Sequence, residues 1–191
     1  MAKAFYFNQA YCTGCKACQI ACKDRNNLPV GSLFRRVESY EVGVYPDPHA
    51  FHYSKSCHHC EDPVCMKVCP VGAFSKNEDG VVVQDRELCI GCQSCVNNCP
   101  FGAPSYIEEL GVSGKCDTCL DIRAEGGVPQ CVSGCPMRAL DFGEIDELLE
   151  RHPEAVSIEE MVVVPASDAH PQTLARLKAI ACTGEPRFIE Y

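Results

Sequence analysis

Residues 89–100 read CIGCQSCVNNCP. Cys89, Cys92, Cys95 and Cys99 stand two, two and three residues apart, and Pro100 closes the run. Gaps of two residues let a tight loop aim several thiolates inward at one centre. The cysteine beyond the next three residues faces away from that centre, and the proline after it stops the segment from continuing and turns the chain. Gly91, in the first gap, lets backbone N–H groups approach sulfur with no Cβ in the way. The turn alone would also select a glycine there.

The same grammar recurs three times, and such internal repeats are read before anything else. Cys12, Cys15, Cys18 and Cys22 repeat the spacing two, two, three in CTGCKACQIACK, with Gly14 in the place of Gly91. Cys57, Cys60, Cys65 and Cys69 follow as two, four, three, and Cys116, Cys119, Cys131 and Cys135 as two, eleven, three. Pro70 and Pro136 close these last two runs as Pro100 closes its own. The first run ends in Cys-Lys, which leaves CQIACKDRN free to continue as helix. Sixteen of the 17 cysteines are thereby used, and Cys182, left over, reads as a buried or idle thiol.

Three other chemistries use dense cysteines. A disulfide framework needs an oxidising compartment, and no secretory signal is visible. Tetrahedral zinc is built from separated Cys-x2-Cys pairs, so the fourth run alone could pass as a zinc site, but the first and third are continuous quartets. Covalent haem needs Cys-x2-Cys-His, and no pair here is followed by His. His58 and His59 lie inside a Cys-x2-Cys loop, where a histidine ligand is conceivable but unneeded. Four [4Fe-4S] clusters account for every quartet. In two-cluster ferredoxins the last cysteine of each run ligates the other cluster. Runs two and three are close neighbours, joined by a turn, NEDG, and a β-like stretch, 81–84. One cluster is therefore expected on Cys57, Cys60, Cys65 and Cys99, and its mate on Cys89, Cys92, Cys95 and Cys69. Runs one and four are left to pair across them: Cys12, Cys15, Cys18 and Cys135 for one cluster, Cys116, Cys119, Cys131 and Cys22 for the other. The expected fold is α+β and loop-rich, two ferredoxin-like modules with one inserted in the other. Residues 1–56 with 101–145 form the outer module, 57–100 the inserted one, and 146–191 a C-terminal extension.

Cysteine is about 9% of the 191 residues, tryptophan is absent, and 13 prolines and 14 glycines imply many turns around a modest apolar core. A net charge of −9 with no clustered Lys or Arg excludes the nucleic-acid binders. Lys16, Lys23, Lys55, Lys67 and Lys115 sit near cysteines, where they either offset anionic sites or are ordinary solvated lysines. No basic segment followed by a long apolar one opens the chain, Arg35-Arg36 lies too far inside for an export signal, and no apolar run reaches membrane-spanning length. KAFYF, FHYSK and RRVESYEVGVY read as strands. Helices are expected at 16–23 and 93–98, in IDELLERH, and as an amphipathic segment in TLARLKAIA, 173–181. His49, His52, His152 and His170 are isolated polar residues. No phosphate loop, nucleophile–base pair or flavin fingerprint is present, so neither a catalytic residue nor a direct small-molecule substrate is expected.

The phrases YCTGCKACQIACKDRNNLPVG, SCHHCEDPVCMKVCPVGAF, CIGCQSCVNNCPFGAP and KCDTCLDIRAEGGVPQCVSGCPMRALDFGEIDEL resemble the four-cluster electron-transfer subunit of the dimethyl sulfoxide reductase family of molybdenum enzymes. The resemblance covers roughly residues 3–150. It implies two partners: a catalytic subunit carrying a molybdenum bis(guanine dinucleotide) cofactor, and an integral membrane anchor that reacts with quinone. It implies a peripheral location reached through those partners, on a side of the membrane left open. A stand-alone polyferredoxin, the same subunit serving a polysulfide, thiosulfate or formate enzyme, and a zinc storage or regulatory protein are the alternatives.

Overall fold

The computed structural model describes residues 2–183 and 185–189. Its strands are β1 (Lys3–Asn8), β2 (Arg35–Val42), β3 (His49–Ser56), β4 (Phe74–Lys76), β5 (Val82–Gln84), β6 (Ser105–Ile107), β7 (Val112–Gly114), β8 (Leu140–Glu144), β9 (Val156–Ser157), β10 (Leu174–Arg176) and β11 (Arg187–Phe188). The helices are short: α1 (Ala17–Arg25), α2 (Val64–Lys67), α3 (Ser94–Asn98), α4 (Leu120–Ala124), α5 (Gln130–Ser133), α6 (Ile145–Arg151) and α7 (Ala179–Thr183). The fold class is α+β.

The apolar strand β1, with Ala4 to Phe7 all buried, lies inside a four-stranded sheet of order β8-β1-β10-β9. It pairs antiparallel with β8, Lys3 facing Glu144 through Phe7 facing Leu140. On its other edge it pairs parallel with β10, Tyr6 facing Leu174. A second sheet, β11-β2-β3, rests on the long antiparallel ladder from Arg35–Ser56 to Val42–His49. Two hairpins, β4–β5 and β6–β7, complete the strand pairing. The first closes through Asn77–Gly80: the Asn77 side-chain oxygen accepts from Val81 N–H at 2.9 Å, and Gly80 takes φ +73°. The core between these layers mixes Phe5, Phe7, Phe34, Phe51 and Tyr53 with cysteines, so thiols occupy positions that hydrocarbon fills elsewhere.

α1 runs on past Cys22 to Arg25, because no proline interrupts it. Its last turn carries Lys23 and Arg25, the favourable sign for a helix C-terminus. Lys23 donates to the carbonyls of Leu28, at 2.7 Å, and Pro29.

One expectation fails. TLARLKAIA is not one helix: its first half is strand β10, and only Ala179–Thr183 is helical. The cause is the free edge of β1, whose unpaired backbone groups near Tyr6–Asn8 need a partner. The chain meets that need with Leu174–Arg176, burying Ala175 completely. Gln9 ends the strand, its side-chain oxygen accepting from Lys178 N–H at 2.8 Å. Residues 158–173 also return to the body of the molecule, with Ile158 and Met161 fully buried.

Candidate metal centres

The third residue of each Cys-x2-Cys loop takes left-handed backbone angles: Gly14 (+70°), His59 (+47°), Gly91 (+69°) and Thr118 (+65°), the last together with Cys119 (+53°). For the β-branched Thr118 this is strained, so the loop geometry is imposed by its surroundings. At Gly14 a Cβ would fall 2.6 Å from the His52 ring, and at Gly91 it would fall 2.2 Å from the Gly111 carbonyl oxygen. Both glycines are therefore required by positive φ and by close approach together.

These loops surround small cavities. One is lined by Cys57, Cys60, Cys65 and Cys99, a second by Cys12, Cys15, Cys18 and Cys135, and a third by Cys69, Cys89, Cys92 and Cys95. The remaining four act on one another: the thiols that bear most on Cys22 are Cys131 and Cys119, and those that bear most on Cys116 are Cys22 and Cys131. Neighbouring groups also touch electrostatically, Cys18 with Cys131, Cys116 with Cys57, and Cys65 with Cys95. The thiols thus stand in a row of four groups. Cys15, in the first group, and Cys92, in the last, are exposed, while Cys22, Cys116, Cys119 and Cys131 are all buried.

Burial sets the thiol energetics. It pushes Cys12 up to about 11 and Cys22 up to about 12, with the Arg35 guanidinium opposing the rise at Cys22. Burial likewise takes Cys60 and Cys65 to about 12, Lys115 opposing at Cys65. Such thiols shed their protons when a metal takes their place. At Cys89 the balance reverses. Burial acts upward on Cys89, but hydrogen bonds from Gly91 N–H and from Ser113 outweigh it and hold the thiol low. Ser113 Oγ lies 3.2 Å from Cys95 Sγ and 3.6 Å from Cys89 Sγ.

Donors to sulfur are built into the chain repeat. In each run that ends in Cys-Pro, the fourth residue after the cysteine is an alanine whose N–H donates back to it: Ala73 to Cys69 (3.3 Å), Ala103 to Cys99 (3.5 Å) and Ala139 to Cys135 (3.3 Å). At Cys22, where the helix continues, Asn26 N–H is used by the Cys22 carbonyl. There the Asn26 side-chain amide takes over, donating to the carbonyl at 2.8 Å and to Cys22 Sγ at 3.7 Å. Hydrogen bonds to sulfur and local charge tune cluster potentials, and a set of four thiols with such donors fits a [4Fe-4S] cluster. A zinc site on the fourth run fits less well, since Cys135 is turned to the cavity of Cys12, Cys15 and Cys18. Among the described residues no three His, Cys, Asp or Glu converge as one ion requires.

The histidines within the second run serve the scaffold. His58, buried, meets Tyr53 Oη at 3.0 Å and Thr173 Oγ1 at 2.8 Å, so both ring nitrogens are engaged. Burial holds it neutral, down to about 3. Gln172 N–H donates to the His58 carbonyl, and Glu61 N–H and Asp62 N–H donate to the carbonyls of His170 and Ala169. The segment 169–173 therefore straps the Cys57–Cys60 loop. His59 Nδ1 accepts from Val82 N–H at 3.2 Å. His152 stacks on Tyr6 with ring centroids 3.7 Å apart. Among the lysines near cysteine, Lys55 pairs with Glu38 and Lys67 with Asp62, so neither faces a cavity as an unpaired cation. Lys115 is buried and donates to the carbonyls of Cys116, at 3.0 Å, and Val82. Cys182 Sγ donates to the Lys178 carbonyl, at 3.7 Å.

Loops of this geometry around shared thiol cavities define an iron–sulfur protein of ferredoxin type. The sequence matches the family models of the 4Fe-4S dicluster domain over residues 48–145 and of the 4Fe-4S binding domain over residues 9–27. It is 48% identical over 162 residues to the B subunit of the anaerobic dimethyl sulfoxide reductase of Escherichia coli K12, covering 81% of this protein and 79% of that one. The corresponding B subunit of Haemophilus influenzae is 41% identical over 200 residues, covering 97% of this protein and 98% of that one. The thiosulfate reductase electron transfer subunit of Salmonella typhi is 43% identical over 141 residues, 71% and 72% of the two proteins. The protein belongs to the family of iron–sulfur electron-transfer subunits of dimethyl sulfoxide reductase, and it carries multiple [4Fe-4S] clusters. Among the described residues no helix is long and apolar enough to cross a membrane.

Proposed function

We propose that the protein is a one-electron wire of four [4Fe-4S] clusters between a molybdenum-containing catalytic subunit and a quinone-reactive membrane anchor, in a complex that reduces a sulfoxide. In order along the wire the ligands are Cys12, Cys15, Cys18 and Cys135; then Cys22, Cys116, Cys119 and Cys131; then Cys57, Cys60, Cys65 and Cys99; then Cys69, Cys89, Cys92 and Cys95. Each cluster borrows one ligand from another run, which makes two nested modules, residues 57–100 set inside 1–56 and 101–145. The row of thiol groups, exposed at Cys15 and Cys92, fully buried in the second group and half-buried to buried in the third, carries this reading. A relay needs accessible ends, for exchange with partners, and a middle more shielded from water than they are. When bound, the clusters supply reversible one-electron uptake at potentials set by charge, hydrogen bonding and exposure. The protein's share is to fix the row, donate to sulfur and exclude water, the strap 169–173 doing so over the Cys57–Cys60 loop. The sulfoxide-reducing complex is favoured over the thiosulfate one by the fuller match to the dimethyl sulfoxide reductase subunits. Anaerobic affinity purification of the tagged protein from its own cells tests the reading. A molybdenum protein at constant stoichiometry supports it; a protein that purifies alone, reduced and reoxidised by several unrelated enzymes, is a free polyferredoxin.

A further inference from the structure

Arg35 opens β2 on the inward face that continues as Val37 and Ser39, and it is 2% exposed. A guanidinium is always charged, and a buried charge is tolerated only when paired and hydrogen-bonded. Nη1 donates to the Ser54 carbonyl at 3.1 Å and to Ser54 Oγ at 3.0 Å. The Phe5 ring lies under the guanidinium carbon at 4.7 Å. Among the described residues, Nε and Nη2 have no hydrogen-bond partner. The groups that bear most strongly on its charge are sulfurs, those of Cys131, Cys18, Cys116 and Cys22, which become anionic on giving up their protons to a cluster. Cys18 belongs to one proposed cluster and the other three to its neighbour. Arg35 therefore stands in the gap between the first two groups of the row.

We infer that Arg35 is the shared electrostatic positioning residue of the first two clusters, its guanidinium holding both at a higher potential and turning its unpartnered N–H donors toward their sulfurs. The inference rests on the wire proposed above. When a cluster there accepts one electron from its neighbour in the row, one negative charge is added and no bond is made or broken. A fixed cation in the gap favours that charge on either side of it, so it raises both potentials. Ser54 extends the arrangement. Because arginine only donates, Ser54 Oγ accepts from Nη1, and its own hydroxyl hydrogen is left for Cys18 Sγ, 3.4 Å away. Lys115, between Cys116 and Cys65, occupies the following gap and gives two of its three donors to the Val82 and Cys116 carbonyls. At Arg35 two whole nitrogens, Nε and Nη2, are left for the clusters.

The test is EPR-monitored redox titration of the intact complex carrying Arg35→Gln or Arg35→Lys, with iron measured on the same samples and signals assigned through Cys15→Ser and Cys92→Ser. In R35Q the two clusters of Cys12/Cys15/Cys18/Cys135 and Cys22/Cys116/Cys119/Cys131 both shift to lower potential, and the other two stay where they are. R35K keeps the charge but loses the fork, so the same pair shifts in the same direction by less. Potentials unchanged in a fully loaded variant, or four potentials falling alike, overturn the inference and leave Arg35 a packing residue. If R35Q fails to retain its iron, R35K decides on the same two criteria. A wild-type complex with fewer than four cluster signals removes the wire itself, a failure distinct from an unmoved potential.

Discussion

Gly91→Ala is expected to be the most damaging of the conservative glycine changes, and Gly72→Ala is its control. Both positions have left-handed backbone, φ +69° and +64°. An L-residue there costs about 1–2 kcal/mol, of which about 0.4–1 kcal/mol is recovered because alanine stiffens the unfolded chain. That sum describes Gly72, whose new Cβ would meet nothing within 4 Å. At Gly91 the Cβ would lie 2.2 Å from the Gly111 carbonyl oxygen, in the turn that joins β6 to β7. Ordinary contact requires the hairpin turn or the Cys89–Cys92 loop to retreat by about 1 Å, and overpacking of this kind costs about 1–3 kcal/mol more. At 1.36 kcal/mol per factor of ten, the extra cost predicts cluster loss about 5- to 150-fold faster in G91A than in G72A. The assay is the anaerobic decay of visible cluster absorbance in moderate urea, with iron measured at intervals. On the proposed ligands the first loss is the cluster of Cys69, Cys89, Cys92 and Cys95, from about sixteen irons to about twelve. Decay of G91A within a factor of two of G72A would refute the reasoning, as would loss that begins at another cluster.

Two further substitutions separate the tuning devices from the ligands. Asn26→Ala removes the side-chain donor to Cys22 Sγ while leaving the helix bond of its backbone N–H. A net hydrogen bond is worth about 1 kcal/mol, so the potential of that one cluster falls by about 40 mV in the titration, with iron unchanged; a shift in a cluster at the far end would count against it. Cys22→Ser disturbs the cluster of Cys116, Cys119 and Cys131 more than that of Cys12, Cys15 and Cys18, as read by EPR; the opposite order means that each run keeps its own fourth ligand.

Much of the site was legible because its grammar is local. Quartet spacing, the glycines at 14 and 91, and the helix that continues past Cys22 where no proline stands all follow from neighbouring residues. The alanine donors were legible too and were missed: CPVGA, CPFGA and CPMRA place Ala73, Ala103 and Ala139 at one offset from each Cys-Pro. The remainder depends on distant partners. TLARLKAIA carries helical spacing, yet the bare edge of β1 drew its first half into a strand. The strap of 169–173 on His58 joins residues more than a hundred apart, beyond any periodicity. In the sequence Arg35 enters only as half of an Arg-Arg pair too far inside the chain for an export signal. The alternation of RRVESYEV put Arg35 on the inner face and Arg36 outward to Ser105 Oγ, at 3.2 Å, but nothing local said that thiols waited there.

The central claim is four cubane clusters on sixteen cysteines. It is tested most directly by iron, acid-labile sulfide and zinc analysis of the anaerobically purified protein, combined with reductive titration. The account predicts about sixteen irons, about sixteen sulfides and four one-electron steps per molecule. A colourless protein holding zinc, with no acid-labile sulfide, would contradict it.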